Sequence, residues 1–502
     1  MKRHHIGLLF ALIASVVLSS FYTPYYNPVS GDKEIYRYIG RVMARGRVVY
    51  KDVFDHKPPL IHFFSYLVIL RGGDWAQWVL DAGLALLATV LFYRLGRKYK
   101  LPYPWMLPVL FNLMLRDNFL CLGMGMTRTY SSMLLLIFYC VLLSESKFRY
   151  YLLGLITGLQ FFLQQDQVCP LVPFFIYAFW PDEDKIPVLT RILRTAAGFA
   201  VIAVPIILYF ALNGALMLFI QDAFLFNFSW YTTTLKESFA DHLKKIKKLI
   251  DEGDYEVPVL VAITLGLFAL GLKSRRKRLL MASFAAVFLS LIQEFMGGRD
   301  ITPQWNGMGF THYILPLAAT IPMLLFSIFA FSEDPIFQGK KVAAVYGILM
   351  LTSLSYAALR YSTQKVARNS DPAVAGPEID YLRQHRPIGD YKLYVFGHND
   401  FVYAYNDLGI IGPTHWVYQH FYQLYDHWDA DLSELHGICD DLLKHQTTYV
   451  LDFTKPTGWF RNPKAYDVWH GFLVEHYEEV DLTGSKNSFG VTGKVWKFKW
   501  TP

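Results

Sequence analysis

Cysteine is scarce in this chain. Four in 502 residues, Cys121, Cys140, Cys169 and Cys439, show no C-x-x-C spacing. That excludes a disulfide framework and a thiolate zinc site, and redox chemistry goes with them. Charge is scarce too: 18% of residues are charged against 53% hydrophobic, and the mean hydropathy is +0.25. A chain of this length and polarity is too apolar for a soluble fold, so most of it is expected in lipid. No repeat period or low-complexity tract breaks the sequence. His56, His62 and His312 lack metal-ligand spacing among themselves, so neither a metal nor another cofactor is expected. The net charge of +7 does not point to nucleic acid, because the basic residues fall in short clusters between apolar runs, the pattern of loops facing anionic lipid.

The apolar runs organise the chain. The first, Ile6 to Phe21, follows Lys2-Arg3-His4-His5 and loosely fits a cleaved signal peptide ending at Ser19-Ser20. Because many further runs follow, it reads as an uncleaved first span. The others lie near Trp75 to Leu95, Trp105 to Leu115, Ser131 to Leu143, Tyr151 to Leu163, Val168 to Phe179, Thr195 to Leu212, Val257 to Leu272, Leu279 to Phe295, Tyr313 to Phe331 and Val342 to Leu359. This makes about eleven spans, several shorter than the ~20 residues of a straight crossing. If they alternate, Lys2-Arg3, Arg94 to Lys100, Lys147 and Arg149, Arg191 and Arg194, Lys273 to Arg278 and Lys340-Lys341 share one side, which is then cytoplasmic. One cluster, Lys244, Lys245, Lys247 and Lys248, falls on the other side and reads as the solvated face of a surface helix.

The expected fold class is therefore a polytopic α-helical membrane protein of the plasma or inner membrane. Its N-terminus is cytoplasmic, and residues 1–359 form the transmembrane part. From about residue 360 to 502 the composition turns polar and rich in Asp, His, Tyr and Trp, which suits one small domain. Lys392 to Phe396 and Thr448 to Phe453 read as buried strands, and Glu378 to Gln384 and Leu432 to Lys444 as helices, giving an α/β domain. An odd number of spans places it outside the cell.

The first external loop, residues 22–74, holds most of the chemistry. Ile35, Tyr38, Ile39 and Val42 alternate with Arg37, Arg41 and Arg45 at helical spacing, the pattern of an amphipathic helix along the interface. Asp32 at its start serves equally as a helix cap. His56-Lys57-Pro58-Pro59 stiffens the return, and Leu60 to Leu70 is too short to cross, so it reads as interfacial or re-entrant. Lys57 then lies near the head groups, where a lysine either snorkels or contacts a lipid phosphate.

These residues carry a resemblance. Asp32 with Tyr36 four positions on, the Ile39-Gly40-Arg41 helix, the Gly46 turn and Tyr50-x-Asp52-x-Phe54-Asp55-x-Lys57-Pro58-Pro59-Leu60 resemble the first external loop of GT-C membrane glycosyltransferases of the protein mannosyltransferase and aminoarabinose transferase type. Gly298-Arg299 and His312-Tyr313 look like the same family's pairs before a late span. The resemblance implies transfer of a sugar from a polyprenyl-phosphate donor to a hydroxyl of a glycan, lipid or protein on the external face. It makes Asp32 the general base, with Lys57 and Arg299 stabilising the leaving lipid phosphate. Glu34 and Asp55 are the alternative acids, and Tyr36, His56, Arg128, His312 and Tyr313 complete the expected substrate contacts.

The chain departs from the pattern in two places. Relatives carry Asp-Glu where this chain has Asp32-Lys33, the second acid moving to Glu34 and so to another helix face. The next external loop, Gly125 to Tyr130, offers no acid, which leaves Asp117 or Asp166. A secondary transporter would instead show two similar halves with broken spans and polar groups at mid-membrane, and an envelope-assembly scaffold would need no catalytic loop. The acids here cluster at span ends.

Overall fold

The computed structural model describes residues 3–20, 22–24, 31–116, 125–227, 274–297, 315–331, 376–419, 429–455, 459–460, 462–482 and 493–499, with 229, 265–266, 269 and 422. The expected spans Val257 to Leu272 and Val342 to Leu359, the Lys244 cluster and the start of the tail fall largely or wholly outside these residues.

The apolar runs form helices. After α1 (Arg3–Ser20), the first loop holds α2 (Gly31–Ala44) and α3 (Leu60–Arg71). There follow α4 (Asp74–Lys98), α5 (Met106–Leu115), α6 (Thr127–Leu142), α7 (Arg149–Leu163), α8 (Val172–Ala178), α9 (Val188–Leu212), α10 (Leu216–Ile220), α11 (Lys277–Gly297) and α12 (Leu317–Phe331). Among the described residues, α4 and α9, of 25 residues each, are the two helices long and apolar enough to cross a membrane. The run Val168 to Phe179, expected as one span, is instead a 3-10 segment, Gln165–Leu171, joined to the seven-residue α8. Pro170 lies inside that segment, where a missing N–H and a fixed φ disfavour a regular helix. Beyond Leu212, where the sequence marks no element before the lysine cluster, the chain forms α10 and a π turn, Gln221–Leu225.

Close helix approach depends on glycine. A Cβ on Gly154 of α7 would overlap the Thr195 carbonyl oxygen of α9, and one on Gly198 of α9 would overlap that of Tyr151. The pair therefore crosses backbone to backbone, the packing that small residues permit where no hydrophobic drive separates protein from lipid. Polar groups tie α1, α4 and α5: Ser15 donates to Asn112 at 2.8 Å, Asn112 donates to Thr89 at 2.8 Å, and Arg116 meets Asp81 at 2.6 Å.

The bundle has two chemically distinct ends. At one, Lys98 lies 3.0 Å from Glu145, Arg149 pairs with Asp184, Arg278 lies 3.6 Å from Glu183, and the Arg275 N–H donates to the Phe331 carbonyl. The basic clusters of three expected loops thus share one end. The other end carries the first loop and the C-terminal unit.

That unit contains α13 (Pro377–Gln384), β1 (Leu393–Phe396), α14 (Tyr403–Leu408), α15 (Ser433–Lys444), β2 (Tyr449–Asp452), α16 (Pro463–His476), β3 (Tyr477–Glu479) and β4 (Lys494–Phe498). The sheet order is β1-β2-β4-β3, with β1 and β2 parallel and the other pairs antiparallel. Every residue of β1 and β2 is buried, as expected of central strands covered on both faces. One face joins Ile35, Tyr38, Ile39 and Val42 of α2 in a shared core with Leu382, Phe401, Tyr405, Ile411 and Tyr418. The apolar stripe of α2, expected against lipid, is therefore spent on protein.

Candidate active site at the first loop

Helix α2 is held on two sides. On one, a Cβ on Gly40 would lie 2.6 Å from the Ser65 backbone carbon, so only glycine lets α3 approach this closely. On the other, Asn406 donates to the Glu34 carbonyl at 2.9 Å and to its carboxylate at 2.8 Å, Gly412 N–H donates to the Tyr38 hydroxyl at 2.8 Å, and Arg41 donates to the Asn406 carbonyl. Arg37 bridges Glu34 and Asp74 at 3.3 and 3.4 Å.

The returning loop is built around Tyr50, which takes a positive φ of 69°, costly for a bulky side chain and kept only where its surroundings demand it. Its hydroxyl donates to the Lys57 carbonyl at 2.6 Å, and its ring packs on Phe210 and Phe219. Asp55 is fully enclosed. It accepts from the His56 N–H at 2.7 Å and from the Tyr418 hydroxyl at 2.8 Å, and His62 Nε2 lies 3.0 Å away at ion-pair distance. Burial pushes its acidity down, but the His62 contact, the two imidazoles and the Tyr418 hydroxyl outweigh that and hold the carboxyl well below the usual carboxylate range. His56 Nδ1 lies 2.9 Å from the same Tyr418 hydroxyl, and Tyr36 stands edge-on to His62.

The expected site residues thus separate by circumstance. Glu34 and Asp55 are committed to partners within the protein. Asp32 lies one residue inside α2, so it is part of the first turn and not the residue preceding the helix. Among the described residues no hydrogen bond or ion pair reaches its carboxylate, nor the ammonium of Lys57, and both side chains are only part-buried. Arg128, at the start of α6, is paired with Asp166 at 3.0 Å. Tyr36 and Asp55 meet at His62, and His56 joins them through Asp55 and Tyr418. Arg299, His312 and Tyr313 lie outside the described residues, as does Asp117.

Sequence reasoning weighed His62 only as a metal ligand and passed over Tyr418 and Asp222. Asp222 sits on the π turn, 6% exposed, and its signal was an isolated acid within the apolar Leu216 to Phe226. Burial, then the charges of Asp55 and Glu434, push its carboxyl up to about 7. Among the described residues no group of three His, Cys, Asp or Glu could hold a metal ion.

No protein-family model matches the chain, and no curated protein matches it in sequence. Solved structures do. The crystal structure of ArnT from Cupriavidus metallidurans bound to undecaprenyl phosphate matches with a TM-score of 0.61 at 12% identity, covering 97% of each chain. The same protein in the apo state matches with a TM-score of 0.56 over the same coverage. End to end, this chain shares the fold of that protein.

Proposed function

We propose that the chain is an integral membrane glycosyltransferase that moves a sugar from a polyprenyl-phosphate donor to a hydroxyl acceptor. The observation that carries the reading is the pair Asp32 and Lys57, an acid and a cation without protein partners among the described residues. They sit on one loop of a fold shared with a protein crystallised with undecaprenyl phosphate. A free hydroxyl attacks poorly at neutral pH. Asp32 takes its proton as the oxygen bonds to the anomeric carbon, and the carbon–oxygen bond to the phosphate breaks with its electron pair passing to phosphate. The Lys57 ammonium stabilises that growing charge, most effectively where water is sparse.

The basic end faces the cytoplasm in this reading, because short loops rich in Lys and Arg stay inside. The loop and the residue 360–502 unit then face out, where Arg299, His312 and Tyr313 are further proposed contacts and the unit covers the site or selects the acceptor.

Asp32→Asn tests the base. It keeps the size of the side chain and removes proton acceptance, so turnover of a polyprenyl-phosphate sugar should fall by about 10²-fold or more with an unchanged melting temperature. Turnover near that of the wild type would refute the assignment.

A further inference from the structure

Asp222 is a buried acid that the mechanism above does not use. Chain geometry fixes it against the returning loop. Asn227 donates from one amide group to the Ala223 carbonyl at 2.8 Å and to the His56 carbonyl at 2.7 Å, which clamps the π turn to the loop. Gln165 donates to the same Ala223 carbonyl at 3.1 Å from the far side. Phe226 packs on Phe54 at 5.2 Å, and Phe219, three residues before Asp222, packs on Tyr50 at 5.5 Å. Tyr50 in turn holds the Lys57 carbonyl. Single π turns inside helical segments recur at functional sites, where the extra residue re-aims a side chain.

The surroundings do not explain the carboxyl. Among the described residues no hydrogen bond or ion pair reaches it, although it is 6% exposed. An ionised carboxylate left so would be costly. The titratable groups facing it are Tyr50 and Asp55 from the loop and Glu434 from α15, with Gln165 uncharged beneath the turn. His56 on the same loop turns its Nδ1 to Tyr418. These neighbours are acids or neutral groups, which favours a carboxyl that keeps its proton, as does its raised pKa.

We propose that Asp222 is a donor-binding residue that, in its protonated form, donates a hydrogen bond to the lipid-phosphate group held by Lys57. The inference rests on the polyprenyl-phosphate reading. During transfer the acceptor proton goes to Asp32 and the bond-breaking electron pair to phosphate. Asp222 keeps its own proton and shares it as a hydrogen bond, so no further reactant is required. Once ionised, the same group repels the phosphate, and donor affinity falls as pH rises.

The test uses farnesyl methyl phosphate, a phosphodiester without a sugar whose single charge is constant over the range, and the purified full chain. Binding should be about tenfold weaker near pH 8.5 than near pH 6, the consequence of deprotonating one group that the ligand needs protonated. Asp222→Asn, a permanently neutral isostere, should lose that fall and bind at both pH values about as the wild type does near pH 6. Lys57→Ala should bind more weakly yet retain the fall. A wild type without the fall, or Asp222→Asn with it intact, would overturn the role of Asp222 while leaving the donor reading in place. Failure of the wild type to bind the probe at either pH would overturn both.

Discussion

Asp32 and Glu34 stand two positions apart on one helix, yet the first is without a protein partner among the described residues and the second is held by Asn406, Arg37 and the edge of Lys33. Glu34→Gln should therefore act on stability, lowering the melting temperature, while the protein that remains folded turns over normally. Asp55 is the sharper case. Its folded pKa lies below the unfolded value, so its stabilisation is fully present above the unfolded pKa and is lost as pH falls through the folded one. Asp55→Asn should cost about 3 kcal/mol at neutral pH, the penalty for leaving its buried partners uncompensated, and should flatten the acid limb of a stability-against-pH curve. Denaturant titration from pH 7 downward checks both. The spacing of Asp32, Lys57 and Pro58-Pro59 was legible from the chain alone because those residues are close in sequence. The commitment of Glu34 and Asp55 was not, because Asn406 and Tyr418 lie more than three hundred and fifty positions away.

Among elements, α2 is central, since α3 and the C-terminal unit meet across it. Gly40→Ala would drive a methyl group into the Ser65 backbone and push the two helices apart. It should lower both melting temperature and turnover, whereas Gly437→Ala, in α15 with open space around it, should leave turnover unchanged and raise the melting temperature slightly, alanine being the better helix former. Helical periodicity found α2, and length marked α3 as too short to cross. Runs of apolar β-forming residues found β1 and β2. The strand β4 escaped because Lys494 to Phe498 alternates charge with bulk and gains its identity only by pairing with β2 and β3. The break at Pro170 was visible as a residue and missed as a consequence.

At the scale of the molecule, the two ends make an orientation testable. On a cysteine-free background, Ser433→Cys in the C-terminal unit should react with an impermeant maleimide in intact cells, and Ser146→Cys at the basic end should react only after lysis. The reverse pattern would place the site in the cytoplasm. The polar composition of the tail is visible in the sequence, but the hydrogen bonds that join it to the first loop are not, because their partners lie hundreds of positions apart. The docking has a consequence in time. Phe54 N–H donates to the His415 carbonyl, and Tyr418 closes over Asp55, so the first loop is finished by residues made more than three hundred and fifty positions later. Ribosomes add roughly 5–20 residues each second, so the loop waits tens of seconds for its own lid. Until the sheet arrives, Asp55 of a nascent chain lacks the Tyr418 hydroxyl and Phe54 lacks its backbone partner.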